Sequence, residues 1–109
     1  MNNKEEILNY ILSFKDVQRK EISVGEDIFY INQEPFVIFN IKKDPIKISI
    51  RCDKQLVKLL TQKYDEVMPG TGLNPTQWIT VIRTGQLTDQ EIIDLISGGY
   101  QEAIKISEN

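Results

Sequence analysis

Residues Ile46–Tyr64 read IKISIRCDKQLVKLLTQKY, and two hydrophobic periods meet inside them. In the first half, Ile46, Ile48, Ile50 and Cys52 alternate with Lys47, Ser49, Arg51 and Asp53. A strand sends successive side chains to opposite faces, so this is a half-buried strand with one apolar and one basic face. From Lys54 onward the period becomes helical: Leu56, Leu59, Leu60 and Tyr64 fall on one side, Lys54, Lys58 and Gln62 on the other. Asp53 stands where an N-cap is needed, and the helix is expected to run to about Lys63. Strand and helix each bury an apolar side and leave a basic side outward.

Upstream, Ile28–Ile31 is β-branched and aromatic and predicts a strand, followed by turn chemistry at Asn32–Pro35. Phe36–Ile41 predicts a second strand, apolar on both faces and therefore central, and Lys42–Pro45 turns the chain into Ile46. Three strands joined by tight turns read as an antiparallel meander. Ile22 and Val24 fit a short strand before a turn at Gly25-Glu26-Asp27. Asn3 can cap a first helix, with Glu6 at capping-box spacing; Ile7, Leu8, Ile11, Leu12 and Phe14 form its apolar stripe, and it should end at 13–15.

Downstream, Glu66–Met68 is a short extended piece, Pro69–Pro75 is turn-rich, and Trp78–Arg83 is a further strand. Thr88 and Glu91 have capping-box spacing ahead of a helix that buries Ile92, Ile93, Leu95, Ile96, Tyr100, Ala103 and Ile104. Gly98-Gly99 either breaks that helix or lets a neighbouring backbone pack close against it. The order predicts an α+β fold, an antiparallel β-sheet with helices packed on one face.

At 109 residues the chain reads as a single domain, residues 1–109, with room for one core. Its 40% hydrophobic and 27% charged content suits a soluble globular protein and is too apolar for a disordered one. No apolar run approaches the roughly 20 residues needed to cross a bilayer, and the start MNNKEE is not a secretory signal. Cys52 is the only cysteine, which excludes an internal disulfide and fits a reducing cytoplasm. There is no histidine, which removes Ser-His and Cys-His nucleophile pairs and every His-containing metal site. With no cluster of reactive groups either, no enzyme, cofactor or metal is expected. Net charge is −3, unevenly spread. Residues 42–63 hold seven Lys or Arg against two Asp, a local +5, while residues 86–109 hold five acids against one Lys, a local −4.

The run ISIRCD, the apolar-basic helix, then VMPG, LN, WITV and LTDQEIIDLISGGY resembles the MmcQ/YjbR family, and the N-terminal KEEILNY fits it too. The linked order of C-D, P-G, N, W and E-I-x-x-L-I is specific as a set. The resemblance implies a CyaY-like (frataxin-like) α-β-α arrangement and a small bacterial cytoplasmic protein of a family often labelled DNA-binding. This chain departs from the pattern after Gly70. Where the family carries two histidines and a lysine before the Trp, Gly72, Pro75 and Gln77 stand instead.

Candidate contacts follow. Lys47, Arg51, Lys54 and Lys58 can bind phosphates, or they can be a solvated exterior. Trp78, with Asn74, Thr76 and Gln77, can stack on a base and read polar edges, or it can pack beneath the 69–75 loop. Gly70-Thr71-Gly72 reads as a tight turn rather than a phosphate loop, since no Lys or helix start follows. Cys52 lies on the apolar side of its strand and reads as core. Asp89, Glu91 and Asp94 read as acids favoured by a helix dipole rather than as cation ligands. The leading reading is a non-catalytic DNA-binding protein; the alternative is a protein- or peptide-binding adaptor with no nucleic-acid role, acting through an exposed strand edge, and no membrane partner is expected in either case.

Overall fold

The alternation at 46–52 is realised as a central strand. The computed structural model describes residues 3–40, 42, 44–70 and 72–108, with the side chain of Asn3 outside that description. Ile41 at the end of the second expected strand, Lys43 and Thr71 also lie outside it, and so does the expected Asn3 cap. The elements are α1 (Asn3–Leu12), β1 (Gln18–Ser23), β2 (Glu26–Ile31), β3 (Glu34–Asn40), β4 (Lys47–Arg51), α2 (Lys54–Lys63), β5 (Val67–Pro69), β6 (Trp78–Ile82) and α3 (Asp89–Ser107). The sheet order is β1-β2-β3-β4-β6-β5, with every neighbouring pair antiparallel.

Ile48, Ile50 and Cys52 are buried beneath the helices, while Lys47, Ser49 and Arg51 point to the other side of the sheet. Asp53 caps α2 as expected: its Oδ1 accepts from Gln55 N at 2.8 Å and Leu56 N at 3.1 Å. Thr88 closes a full capping box with Glu91, and α3 then runs 19 residues without a break. It crosses Gly98-Gly99 because β4 passes close by. A Cβ on Gly99 would lie 2.9 Å from the Arg51 carbonyl oxygen and 3.1 Å from Ile50 Cγ2. A Cβ on Gly98 would meet nothing within 4 Å.

Two expectations about turns change. β1 is longer than the Ile22–Val24 piece, and Glu26 and Asp27 belong to β2, so the turn narrows to Val24-Gly25. Every residue of β1 is exposed, so no apolar alternation announces it. Glu34 and Pro35 likewise belong to β3, not to the turn, which is the two-residue step Asn32-Gln33, both at positive φ. Pro35 is tolerated because the register slips there, between Phe29 and Tyr30.

Helices cover one side only. α3 packs on β2, β3 and β4, α2 on β5 and β6, and α1 on α3. Phe14 stacks on Tyr100 at 4.4 Å between ring centroids, and the Tyr100 hydroxyl donates to the Lys15 carbonyl at 2.8 Å. A second clamp joins the far edge to α3. Buried Glu66 accepts backbone N–H groups from Thr84, Gln86 and Leu87, the last at 2.9 Å, and its own N–H donates to Gln86 Oε1 at 2.8 Å. Among the described residues no helix is long and apolar enough to cross a membrane.

Candidate nucleic-acid interface

The side of the sheet without helices carries the basic side of β4. Ser49 is buried there by its neighbour Thr80, their hydroxyls sharing a 2.9 Å hydrogen bond. Lys47 is half-buried and lines a groove of about 250 Å³ with Ile22, Glu26, Ile38, Gly72 and Leu73. Arg51 is committed within the molecule. Its Nη1 donates to Glu34 Oε2 at 3.3 Å and to the Pro35 carbonyl at 3.2 Å, and its guanidinium lies 5.7 Å from the centre of the Trp78 ring. With its side chain 11% exposed, its charge is largely spent on Glu34 and Trp78.

Lys54 and Lys58 project from α2 into solvent and line a separate groove with Val57, Pro69, Pro75 and Thr76. The 69–77 segment contributes to both grooves and so lies between Lys47 on one flank and Lys54 and Lys58 on the other. The basic strand and helix sides therefore form two cationic flanks around a loop, not one continuous patch. Asn74 is exposed, but its Oδ1 accepts from Thr76 N at 3.0 Å and Thr76 Oγ1 at 2.8 Å, which shapes the turn. Trp78 takes the packed alternative at 5% exposure. Gly70 N–H donates to the Trp78 carbonyl at 2.8 Å, and a Cβ on Gly70 would fall 2.6 Å from Trp78 Cβ. Gly70 is thus a close-approach glycine over the Trp backbone.

The other candidates resolve into structural roles. Cys52 is buried, and that burial, reinforced by the Asp53 and Glu102 carboxylates, pushes its thiol up to about 12. Asp89 pairs with Arg83 at 2.8 Å, and Asp94 accepts from Gln90 at 2.9 Å. The Thr88 backbone N–H, then its hydroxyl, holds the Glu91 carboxyl below its ordinary value. Among the described residues no three Cys, Asp or Glu side chains group closely enough to hold a metal ion.

One feature of this face escapes a reading of the sequence. A second groove of about 360 Å³ lies beside β1, lined by Lys20, Ile22, Ile28, Tyr30, Gln33 and Pro35. Ile22 is 48% exposed within it. The only signal was the alternation of Ile28 and Tyr30 with Phe29 and Ile31, which shows that β2 is apolar on both faces but not which face stays open.

Comparison with known proteins places this architecture. The Escherichia coli K12 protein named "Uncharacterized protein YjbR" is 34% identical over 59 residues, 54% of this chain and 50% of that protein; the same figures hold for its counterpart in strain O157:H7. The match thus spans about half the length of these curated relatives. Among solved structures, Deinococcus radiodurans protein DR2400, with a DUF419 domain, superposes with a TM-score of 0.86 at 19% identity, covering 93% of this chain and 78% of that one. A Pseudomonas syringae protein superposes with a TM-score of 0.77 at 22% identity, covering 94% and 99%. At these identities the two structures speak for the fold alone. The YjbR family model matches residues 12–102, from the end of α1 to well inside α3, and on that match this chain belongs to the YjbR family.

Proposed function

We propose that this chain is a non-catalytic cytoplasmic binding protein whose ligand is DNA, held across the 69–77 loop. The observation that carries the reading is the state of its cations. Among the described residues Lys47, Lys54 and Lys58 enter no ion pair, whereas Arg19, Arg51 and Arg83 are each paired with a carboxylate. Free ammonium groups on both flanks of one loop suit a backbone of regularly spaced phosphates better than a point-like ligand. Trp78 and Asn74 contribute by shaping the loop, and Arg51 by holding Trp78, rather than by touching bases. The layering of helices over one face of an antiparallel sheet is read as the CyaY-like arrangement that the family resemblance implies.

The test is fluorescence anisotropy with labelled duplex DNA over a range of salt. Three neutralised phosphates give an expected log–log slope of about −2.7. Replacing Lys54 and Lys58 together by Gln should bring it to about −0.9. No binding at tens of micromolar protein in low salt refutes the proposal.

A second reading, a peptide-binding adaptor, draws on the exposed β1 edge and the groove beside it, with Ile22 and Val24 standing out at 48% and 76% exposure. It predicts association that is insensitive to salt and lost in Ile22→Lys.

A further inference from the structure

The two edges of the sheet, β1 and β5, are finished differently. β5 is three residues long, ends in Pro69 and has α2 packed against it, so it offers a further strand little to pair with. β1 is six residues long, holds neither Pro nor Gly, and every one of its residues is exposed. The helices pack on the strands from β2 onward and leave it uncovered. A bulge between Glu21 and Ser23 closes its far end, so the open stretch is Gln18–Glu21. An uncovered edge of this kind turns unpaired N–H and C=O groups to solvent, a template for one more strand.

The side chains of β1 say what that strand should carry. On the covered side of the sheet Arg19 is paired with Asp27 and lies 5.6 Å from the centre of the Phe29 ring, so its charge is already met. Lys20 and Glu21 point to opposite sides and enter no ion pair among the described residues. Lys20 lies on the open face with exposed Ile22, and both line the groove of about 360 Å³ that Ile28 and Tyr30 also line. A strand laid antiparallel to β1 sets one side chain opposite Lys20, where an acid fits. Opposite Glu21, on the other side, a cation fits. One residue further, back on the open face beside Ile22, an apolar side chain reaches the groove.

A second copy of this chain does not supply that pattern. A two-fold axis between paired edges keeps each residue on its own face of the sheet, so it passes through a residue rather than between two. Centred on Arg19, Lys20 or Glu21, it sets that residue against its own copy, like charge to like. We infer, building on the adaptor reading, that β1 takes up an extended segment of another protein as an added antiparallel strand. Its pattern runs apolar, basic, acidic from N to C, opposite Ile22, Glu21 and Lys20. Main-chain hydrogen bonds and the contact with Ile22 supply the affinity, and the two charges set the register and the choice of partner.

Two capped heptapeptides of identical composition test this: TTFKETT, which carries the pattern, and TTFEKTT, in which the charges trade places. Each is titrated into the isotope-labelled full chain and followed by backbone amide shifts. TTFKETT should shift amides centred on β1 and bind about threefold or more tightly than TTFEKTT. In the double variant Lys20→Glu with Glu21→Lys, both at exposed positions, that order should invert. Equal binding of the two peptides at β1 overturns the assigned partner chemistry and leaves the adaptor reading standing. No shift at β1 with either peptide at about 1 mM overturns both. Shifts of β1 that follow protein concentration alone, without peptide, would put a second copy on the edge and overturn the inference as well.

Discussion

Two adjacent glycines in one helix should respond to the same substitution with opposite signs. At Gly99, alanine places a methyl 2.9 Å from the backbone oxygen of Arg51 and 3.1 Å from Ile50 Cγ2. Neither neighbour can yield easily: the first is backbone of a strand hydrogen-bonded on both sides, and the second belongs to a fully buried side chain. α3 must lift by several tenths of an ångström across its contact with β3 and β4, an overpacking cost of about 1–3 kcal/mol. Loss of glycine's freedom in the unfolded chain returns about 0.5–1 kcal/mol, leaving a net loss of up to about 2.5 kcal/mol. At Gly98 only the favourable term operates, so alanine should stabilise by about 0.5–1 kcal/mol. Urea titration at low micromolar protein, followed by far-UV circular dichroism and by the fluorescence of the sole tryptophan, Trp78, measures both. The two variants differ by the overpacking cost alone, so for a domain of this size their melting temperatures should part by about 4 °C or more. A Gly99→Ala variant as stable as the parent, or two variants shifted the same way, would refute the claim that helix–strand contact distance sets the sign.

Other consequences can be checked on the same material. With its thiol pushed up to about 12, Cys52 should be inert to thiol reagents at pH 8 in the folded protein and react promptly in urea; native labelling at the rate of a free thiol would show the site to be open. Because the folded value lies above the unfolded one, the stability linked to Cys52 is full below about pH 9 and declines as pH rises toward 12, which urea midpoints at pH 8 and pH 10 would register. Gln33 holds φ +70° in the β2–β3 turn, a conformation that suits glycine; Gln33→Gly should gain roughly 0.5–1 kcal/mol, and a lower melting temperature would count against strain at that turn.

What could be read from the sequence was whatever depends on near neighbours. The Asp53 cap, the Thr88 capping box and the alternation through β4 each rest on residues within four positions of one another, and each stands as expected. The Gly98-Gly99 pair left two options open, and the passage of β4 over Gly99 decides between them. β1 was nearly invisible because an edge strand exposed on both faces has no hydrophobic period to display. The fate of Arg51 was hidden for another reason: its carboxylate, Glu34, lies 17 residues away and arrives through the pairing of β3 with β4, which no local pattern specifies. Trp78 and Asn74 looked equally suited to a ligand and to a turn, and only the approach of Gly70 to the Trp backbone separates the two. Lys47, Lys54 and Lys58 were visible as charges, but their division between two flanks of a loop was not.

Glu66 bears on how this molecule can move. Its carboxylate gathers the backbone N–H groups of Thr84, Gln86 and Leu87 in the β6–α3 connection from the inside, and the Arg83–Asp89 pair ties the same connection to the start of α3. A connector held in this way is not a hinge. α3 and the sheet behave as one rigid body there, and swinging the helix would strand several backbone donors away from both water and their acceptor. A ligand on the open sheet face is therefore met by a preformed surface, and any rearrangement on binding is confined to the loops on that face rather than passed to the helices behind it.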